Sequence, residues 1–442
     1  MAKPIYISKI IKKFKKKIKV NGDKSLSIRW ALMASQAIGK SRAYNLLKSE
    51  DVLSTLNCLK KLGIKIAFKN KYCEIKGNGI NSFIYKNNLT INAGNSGTLG
   101  RLILALLIKS PKKIKLIGDK SLSKRDFARV IDPLKKFGAI FYPKNKNTLP
   151  IYIKGSDFIR PINYFESKGS AQCKSSVMLA ALNAPGKTII KAKKSRNHTE
   201  ILFKNLKIPI KVKKTKNFDF IEIVGNQNFK SFNYNIPSDI SSSAFFIVLT
   251  LLSKKSSLII KNVNVNPSRI GIIKILNKMG ANIIFKNKKI YKGEPIADIF
   301  VKSSILLKPI NCPEQLNSSA IDEFLLIFLI AAKSKGVSYF KNLSELNQKE
   351  SPRLKLGSKI LNMIGIKTKL TNHSIKIYGQ PNLKPKKNYE VKNYLKDHRI
   401  FMMTTIMALT FGGNWKIYDP DSIKTSFPSF LKIVKSLGGK IK

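Results

Sequence analysis

The sequence predicts an α/β fold made of six copies of one supersecondary unit. Six times along the chain, a strand-like segment is followed by a polar stretch and then by a helical segment that usually ends in Leu-Gly or a close variant. The copies begin about 70 to 80 residues apart, and self-similarity at a regular interval marks a repeated unit. The strand-like segments begin at Ser41, Lys113, Lys187, Ser257, Val337 and Asn414.

Between these copies lie six more helical segments, and we expect them to be buried because they are apolar on most faces. They cover residues 27–38, 98–108, 171–182, 241–252, 322–332 and 398–409. Each follows a polar cap, in order GDKS, NAGNS, SKGS, PSDI, SSAI and LKD. A helix N-terminus attracts anions through its free N–H groups and partial positive charge. Six such termini facing one cleft would bind a strongly anionic ligand.

Composition sets the outer bounds. A chain of 442 residues with 43% hydrophobic content can bury two domain cores, and no apolar run is long and charge-free enough to span a bilayer. The formal charge of +59 arises from 83 Lys plus Arg against 24 Asp plus Glu. The excess is Lys spread over every segment, whereas a nucleic-acid binder gathers its basic residues into a patch beside aromatic side chains. Biased composition is therefore favoured over a nucleic-acid surface, which remains the alternative from another functional class.

The densest basic run, residues 9–20, interleaves apolar side chains with Lys and is interpreted as a basic surface strand rather than a targeting peptide. The four cysteines show no metal-ligand spacing, and the chain has only three histidines. These features favour a reduced, metal-free, cytoplasmic protein.

The domain boundary follows from the repeats. Three copies precede the segment 236–241 and three follow it, and the first apolar helix opens just after Gly22. We therefore predict one lobe at residues 23–239 and a second at residues 1–22 plus 240–442.

A set of short strings then occurs in a fixed order: GDKSLSIR, GNSGT, SLSKR, GSAQCKSS, SRNHTE, PSDISSSAFF, NPSRIG, IDE, KESPR, DHRIFM and TSFPSF. Any one of them is weak, but the ordered set is highly specific. Through it, essentially the whole chain resembles the EPSP synthase (3-phosphoshikimate 1-carboxyvinyltransferase) family. The resemblance implies two lobes of three βαβαββ units each, the inside-out α/β barrel of enolpyruvyl transferases, with the active site in the cleft between the lobes.

The reaction that the resemblance implies moves the enolpyruvyl group of phosphoenolpyruvate onto the 5-hydroxyl of shikimate 3-phosphate and releases phosphate through a tetrahedral intermediate. It implies no cofactor, and we expect a monomer with two small anionic substrates and no nucleic-acid or membrane partner. The family binds the inhibitor glyphosate in the phosphoenolpyruvate site.

The resemblance also assigns residues to roles. It implies shikimate 3-phosphate binding by Lys24, Ser25, Arg29, Ser170, Ala171, Gln172, Arg196, Asp322 and Lys349. It implies phosphoenolpyruvate binding by Lys24, Asn95, Gly97, Arg125, Gln172, Arg353 and Arg399. Asp322 would be the base for the 5-hydroxyl, with Glu350 and Lys24 as the other proton-transfer candidates, and how the three share the proton transfers stays open.

Single motifs have plainer interpretations. Without the resemblance, the Lys24 segment is typical of a capped surface helix, and Asp322 with Glu323 is typical of acids that complement a helix dipole. His198 is expected to be structural. Asp126 follows Arg125 where the family usually has Pro, and the C-terminal family Lys falls on Thr425, one residue after Lys424.

One related activity is the transfer of the enolpyruvyl group to UDP-N-acetylglucosamine. That enzyme typically carries a reactive Cys in the region that residues 110–127 occupy here, and this chain has none there. The absence favours shikimate 3-phosphate as the acceptor.

Overall fold

A computed structural model describes residues 3–304 and 307–442. Residues 1–2 and 305–306, which the predicted second lobe includes, lie outside the described residues. The chain divides into two compact units. The first comprises residues through Asn21, Pro237–Tyr291 and Pro295–Lys442, and the second comprises Gly22–Ile236 and Lys292–Glu294.

The strands of the described residues are short. They are β1 (Ile5–Ile7), β2 (Lys15–Ile18), β3 (Ile38–Tyr44), β4 (Lys65–Phe68), β5 (Tyr72–Asn78), β6 (Leu89–Asn92), β7 (Ile114–Ile117), β8 (Ile140–Tyr142), β9 (Ile151–Lys154), β10 (Asn163–Glu166), β11 (Lys187–Lys193), β12 (Ile210–Lys214), β13 (Phe218–Val224), β14 (Tyr234–Asn235), β15 (Ser257–Asn264), β16 (Ile283–Tyr291), β17 (Glu294–Lys302), β18 (Gly336–Phe340), β19 (Thr368–Leu370), β20 (Ile375–Gly379), β21 (Asn388–Val391) and β22 (Asn414–Ile417).

The helices alternate with these strands. They are α1 (Lys24–Gln36), α2 (Glu50–Lys61), α3 (Gly97–Leu106), α4 (Ala128–Phe137), α5 (Ala171–Ala181), α6 (His198–Asn205), α7 (Ile240–Leu252), α8 (Gly271–Lys278), α9 (Asn317–Ala320), α10 (Phe324–Lys333), α11 (Arg353–Met363), α12 (His398–Phe411) and α13 (Phe430–Ser436). Short 3₁₀ helices cover Leu122–Lys124, Glu314–Leu316, Ser344–Gln348 and Pro420–Thr425.

The strands form small sheets of one recurring design. In the second unit the strand orders are β14-β3-β5-β4, β6-β7-β9-β8 and β10-β11-β13-β12. In each, the first strand is parallel to the second, and the remaining neighbours are antiparallel. The first unit has the orders β16-β17-β15-β2, β18-β20-β19 and β1-β22-β21. There β2 is parallel to β15 and β21 is parallel to β22.

The predicted order of strand and helix is confirmed at all six copies. Each predicted segment starts with or within a strand and contains the next amphipathic helix, as the pairs β3 with α2, β7 with α4, β11 with α6, β15 with α8, β18 with α11 and β22 with α13 show. The mixed α/β class is therefore confirmed. The grouping into βαβαββ units and the inside-out barrel stay predictions.

Sheet β10-β11-β13-β12 illustrates why these segments become strands. Along β11 the side chains alternate between solvent and interior, so that Thr188, Ile190 and Ala192 are buried while Lys187 and Lys191 are exposed. A period of two residues places alternate side chains on opposite faces of a strand. Each sheet of this kind can thus cover a helical layer with one face and carry Lys on the other.

The six apolar helices are buried as predicted. They are α1, α3 and α5 in the second unit and α7, α10 and α12 in the first. Helix α3 contacts both α1 and α5, and α7, α10 and α12 contact one another. Because their sides are enclosed by other elements, the free backbone N–H groups of these helices are found at the N-terminal turns.

Five of the six predicted caps form. The side chains of Asp23, Ser96, Ser170, Asp239 and Asp397 accept hydrogen bonds from backbone N–H groups in the first turns of α1, α3, α5, α7 and α12. The prediction was wrong at the sixth helix, which begins at Phe324 rather than Asp322. A turn closed by the bond from the Glu323 N–H to the Ala320 carbonyl (2.8 Å) ends the preceding short helix and holds Asp322 outside α10.

The basic segment is only partly a strand. Pairing with β15 is confined to Lys15–Ile18, whereas the prediction extended over residues 9–20. The earlier part is fixed by single hydrogen bonds, from the Ile11 N–H to the Leu409 carbonyl (2.8 Å) and from the Phe14 N–H to Ser256 Oγ (3.1 Å). Ile11 and Phe14 are buried three residues apart, a spacing that a regular strand does not give.

The four cysteines are free and buried. Burial raises the pKa of the Cys58, Cys73 and Cys312 thiols to about 11, and it also raises the pKa of Cys173. Such thiols stay neutral at physiological pH and behave as small apolar side chains. Within the described ranges, no helix has the length and apolar character needed to cross a membrane.

Candidate active site

The N-terminus of α1 carries the first predicted site residues. Asp23 caps the helix by accepting the Leu26 N–H at 2.8 Å. The Lys24 ammonium, which follows directly, lies 2.9 Å from Asp51 Oδ2 on α2. Asp51 is almost fully buried, so it holds the Lys24 side chain in a fixed direction at the first turn. The sequence interpretation did not identify Asp51.

Arg29 lies one turn further into α1 and is 4% exposed. Its guanidinium donates to Thr199 Oγ1 (2.9 Å), Ser175 Oγ (3.0 Å) and Ser25 Oγ (2.6 Å). These hydroxyls come from α6, α5 and α1. The cation therefore joins three helices and is placed beside Ser25, its predicted companion in phosphate binding.

The turn before α3 contains Asn95 and Gly97. Ser96 caps the helix, and Asn95 Nδ2 donates to Asp119 Oδ2 at 2.5 Å. A Cβ atom built on Gly97 would lie 3.0 Å from Arg125 Nη1 and 3.1 Å from Arg101 Nη1. Two guanidinium groups thus pack directly against the bare backbone of Gly97, and a side chain at this position would displace them.

Arg125 lies between a short 3₁₀ helix and α4. This residue ends the 3₁₀ helix Leu122–Lys124, whereas α4 begins only at Ala128. Asp126, the departure from the family pattern, accepts the Ala128 N–H at 2.8 Å and so serves the start of α4. Its backbone carbonyl accepts from Arg101 (3.5 Å). The acid is consistent with local helix formation, as expected for an acid at a helix start.

Helix α5 brings Gln172 to the α3 terminus. Ser170 caps α5, and the side chain of Gln172 donates to Thr98 Oγ1 (3.1 Å) and accepts from Arg101 Nη1 (2.6 Å). Arg101 therefore connects the Gly97 turn with Gln172. It was not among the predicted site residues.

The segment 195–200 contains one partly exposed arginine and two buried residues that form close pairs. Arg196 is partly exposed just before α6. His198 Nδ1 and Glu294 Oε1 are 2.6 Å apart, and both side chains are fully buried. Lys174 Nζ lies 2.6 Å from Glu200 Oε1, also in the interior. The burial of His198 agrees with the structural role expected for it.

In the first unit, predicted site residues surround Asp322. Asp322 Oδ1 is 3.5 Å from Lys349 Nζ and 3.7 Å from Arg353 Nη1. The Asp322 backbone carbonyl accepts from Arg399 Nη1 at 2.5 Å. Asp322, Lys349, Arg353 and Arg399 thus form one cluster, although three separate segments supply them.

Arg353 is 2% exposed and is held by carboxylates. Its Nε and Nη2 donate to Asp397 Oδ2 (2.8 Å) and Oδ1 (3.2 Å), and Nη2 also binds Glu350. Burial opposes the charge, but Asp397, Glu350 and Asp322 outweigh it and raise the pKa of Arg353. Burial would likewise raise the pKa of Asp397, yet the Arg353 guanidinium holds that pKa below its usual range.

Asp397 also fixes the N-terminus of α12. It caps the helix by accepting the Arg399 N–H at 2.9 Å and accepts the Ser351 hydroxyl at 2.8 Å. Arg399 Nη1 lies 3.6 Å from Glu323 Oε1. The buried Asp397 carboxylate therefore orients two arginines that are predicted to bind phosphoenolpyruvate. It accepts from the side chain of Arg353 and from the backbone N–H of Arg399.

The C-terminal segment brings Thr425, the position on which the family Lys falls, close to the α12 terminus. Thr425 Oγ1 lies 3.2 Å from His398 Nδ1, whereas Lys424 is exposed. Position 425 is therefore the one beside the α12 terminus. A role for Lys424 at this cluster finds no support in the contacts of its neighbours.

The predicted residues divide between the two units. The second unit holds Lys24, Ser25, Arg29, Asn95, Gly97, Arg125, Ser170, Ala171, Gln172 and Arg196, and the first holds Asp322, Lys349, Glu350, Arg353 and Arg399. Among residues 3–304 and 307–442, no group of three or more His, Cys, Asp or Glu is arranged to hold a metal ion.

Sequence reasoning missed Asp51, Arg101 and Asp119, and it identified Asp397 as the cap of α12 but not as the partner of Arg353. A signal for Asp119 was present, because GDKSLS occurs twice, at residues 22–27 and 118–123. Both acids accept the N–H three residues later, Leu26 at 2.8 Å and Leu122 at 2.7 Å. The repeated string is a repeated cap.

Comparison with known proteins adds a family to this geometry. Residues 8–434 match the family model described as EPSP synthase (3-phosphoshikimate 1-carboxyvinyltransferase). A 3-phosphoshikimate 1-carboxyvinyltransferase of Ruthia magnifica is 40% identical over 426 residues, covering 96% of this chain and 95% of the relative. The corresponding protein of Caldicellulosiruptor saccharolyticus is 37% identical over 433 residues, covering 97% of this chain and 98% of the relative.

Solved structures agree. EPSP synthase from Acinetobacter baumannii has a TM-score of 0.87 and 34% identity, covering 100% of this chain and 99% of that one. The enolpyruvyl transferase NikO from Streptomyces tendae has a TM-score of 0.75 at 13% identity, covering 99% of this chain and 98% of that one. This second likeness concerns the fold alone.

The Asp397–Arg353 pair generates a stability prediction. Asp397→Asn keeps the shape but leaves Arg353 without its main counter-charge, so we expect the free energy of unfolding at pH 7 to fall by about 3 kcal/mol. Because the pKa of Asp397 is depressed in the folded state, its contribution is complete above the unfolded pKa of about 3.9 and is lost as pH falls below it. The difference in the free energy of unfolding between wild type and Asp397→Asn should therefore be smaller by roughly 1 kcal/mol at pH 3 than at pH 7.

Denaturant unfolding at pH 7, 5 and 3 measures this difference. Asp157→Asn is the matched control, since Asp157 is exposed on a loop and its substitution removes the same charge. Equal stability of wild type and Asp397→Asn at pH 7 would contradict a stabilising role of the Asp397–Arg353 pair. A difference in stability that stays the same from pH 7 to pH 3 would contradict it as well.

Proposed function

The chain belongs to the EPSP synthase family, and on that premise we propose which of its residues bind the two substrates and move the protons. The enzyme transfers the enolpyruvyl group of phosphoenolpyruvate to the 5-hydroxyl of shikimate 3-phosphate and releases phosphate. This reaction belongs to the shikimate pathway of aromatic amino-acid biosynthesis. The observation that carries the residue assignment is the gathering of cations at capped N-termini of buried helices in each unit.

Shikimate 3-phosphate is an anion that needs donors as well as cations. We assign its phosphate to the hydroxyl of Ser170 with the Ala171 N–H at the α5 terminus, and to Ser25, Arg196 and Lys349. Arg29, fixed by Ser175 and Thr199, supports the same phosphate through Ser25. Lys24, Gln172 and Asp322 complete the set for this substrate. Helix N-termini and guanidinium groups are the usual ligands of phosphate in proteins.

Phosphoenolpyruvate carries a phosphate and a carboxylate. We assign these groups to Arg125, Arg353 and Arg399, with Asn95, Gln172 and Lys24 as further donors. Gly97 contributes its backbone, and its missing Cβ lets the Arg125 guanidinium approach closely. The fixed positions of Gln172 against Arg101 and of Arg353 against Asp397 support this assignment, because preorganised donors stabilise charge without rearrangement during the reaction.

The chemistry requires a base and an acid. We propose that Asp322 takes the proton of the 5-hydroxyl while the hydroxyl oxygen attacks the central carbon of phosphoenolpyruvate. Lys349 and Arg353, at 3.5 and 3.7 Å, stabilise the Asp322 carboxylate. Protonation of the methylene carbon gives the tetrahedral intermediate. Expulsion of phosphate and removal of a methyl proton then regenerate the enolpyruvyl double bond, with Glu350 and Lys24 as the groups available for these carbon proton transfers.

We further propose that the enzyme acts as a cytoplasmic monomer without a cofactor, nucleic acid or membrane partner. The assigned lysines and arginines can meet the charge of both substrates without a metal ion.

Phosphate release tests the function. Purified protein should release phosphate only when shikimate 3-phosphate and phosphoenolpyruvate are both present. We expect the rate to persist in a chelator and to be absent with UDP-N-acetylglucosamine as acceptor. Equal release with that acceptor would overturn the choice of substrate.

Asp322→Asn separates binding from chemistry. The amide keeps the shape but cannot act as a base, so turnover should fall by roughly 10²- to 10⁴-fold. Shikimate 3-phosphate should still bind, as measured by titration calorimetry. Glu314→Gln, an exposed acid of the same unit, is the control for charge. Turnover of Asp322→Asn at the wild-type rate would remove Asp322 from the mechanism.

Gly97→Ala addresses inhibition by glyphosate. The added methyl would lie about 3 Å from Arg125 Nη1, which is closer than ordinary contact, so Arg125 must shift. Because glyphosate is longer than phosphoenolpyruvate, we expect its binding to weaken by roughly 10- to 200-fold, the usual worth of one methyl group. A smaller rise in the KM for phosphoenolpyruvate should accompany this loss. Inhibition curves at matched substrate saturation measure the effect, and superimposable curves would place Gly97 away from the site.

A further inference from the structure

Asp119 is an acid that joins two segments to which phosphoenolpyruvate binding has been assigned. Its Oδ2 accepts from Asn95 Nδ2 at 2.5 Å, and its Oδ1 accepts the Leu122 N–H at 2.7 Å. Its own N–H donates to the Gly94 carbonyl at 2.8 Å. One residue thus holds the turn before α3 on one side and the start of the 3₁₀ helix on the other.

The second of these segments ends at Arg125. The 3₁₀ helix that Asp119 caps runs over Leu122–Lys124, and the Arg125 N–H closes it by donating to the Leu122 carbonyl at 3.1 Å. The Arg125 guanidinium then packs on Gly97, next to Asn95. Asp119 therefore binds both the turn before α3 and the segment that leads to Arg125, and these two segments meet at Gly97.

The two GDKSLS copies show which contact of Asp119 is shared and which is its own. The bond to the N–H three residues later occurs in both copies, and the contact with Asn95 is specific to Asp119. Asp23 and Asp119 make the same cap to the residue three positions later. Asp23 is fully buried, whereas Asp119 is exposed, and the other oxygen of Asp119 accepts from Asn95. A cap alone does not require this second contact, since Ser96 and Ser170 cap α3 and α5 with a single oxygen.

The charge of Asp119 works against anion binding. A carboxylate beside a site for phosphate and carboxylate groups repels the ligand, and this repulsion is weak but unfavourable at an exposed position. An acid that opposes binding by its charge must contribute through geometry if it contributes at all.

We propose that Asp119 is a positioning residue, which orients Asn95 and the Arg125 segment for phosphoenolpyruvate. The proposal rests on the proposed function. It predicts that the loss of the Asp119 charge and the loss of its contact with Asn95 would change the KM for phosphoenolpyruvate in opposite directions. Removal of a negative charge alone would lower the KM for phosphoenolpyruvate. Loss of the Asn95 anchor would raise it.

Asp119→Asn is the first test. The substituted amide has one oxygen for the two contacts, and its NH₂ group would face a donor on Leu122 or on Asn95. We expect the KM for phosphoenolpyruvate to rise about 10- to 100-fold, the loss expected for one hydrogen bond to a charged group. The KM for shikimate 3-phosphate should stay within about twofold, because its assigned ligands lie on other segments.

Asp119→Ser is the second test and guards against misfolding. A serine hydroxyl can keep the cap to Leu122, as Ser96 does for Leu99, but it is too short to reach Asn95 as well. The same selective rise in KM is expected. A merely structural effect would instead lower kcat through loss of active enzyme and would leave both KM values unchanged.

Asp157→Asn, an exposed acid on another loop of the same unit, controls for net charge and should leave both KM values unchanged. An unchanged or lowered KM for phosphoenolpyruvate in Asp119→Ser, with wild-type turnover intact, would overturn the positioning role while leaving the function standing. Absence of phosphate release by the wild type would overturn the function itself.

Discussion

The structure depends on how the N-termini of its buried helices are satisfied. Helices α1, α3, α5, α7 and α12 are enclosed on their sides, so the unpaired N–H groups of the first turn have to find partners locally. A side chain of Asp or Ser supplies one acceptor at each of these five helices. Whatever polar groups the chain places next to those caps are then held in defined positions. Lys24, Gln172 and Arg399 are site residues that lie beside such caps.

The two clusters hold their arginines by different means. Arg29 donates to three hydroxyls, which orient a cation without contributing negative charge. Arg353 is held by Asp397 and Glu350, with Asp322 close by. Since a buried cation needs counter-charge or ligand charge, the second arrangement makes Arg353 rigid before any substrate arrives. It also places two carboxylates beside each other on one guanidinium, which is the setting in which proton transfer by Asp322 and Glu350 is proposed.

Local signals in the sequence were sufficient for the strand that opens each of the six copies, the buried helices and five of the caps. Periodicity and cap chemistry act over a few residues, and so they can be found without knowledge of the fold. The partners of the site residues were out of reach for the opposite reason. Asp51, Asp119 and Asp397 lie 27, 24 and 44 residues from the side chains that they hold. Asp322 was misplaced because two acids before an apolar run are typical of a helix start, whereas here a turn intervenes.

Outward-facing strand positions are the part of the molecule most tolerant of compositional drift. On sheet β10-β11-β13-β12, Lys191 Nζ lies 5.3 Å from the ring centroid of Phe165 and 4.9 Å from that of Phe218. The lysine ammonium therefore lies over aromatic rings at the surface, where a cation is attracted to the ring face. A chain that accumulates lysine can therefore place it where every second residue already faces solvent, and the interior that aligns the helix termini is left unaltered. On this sheet, the positive charge is carried by positions that face away from the interior.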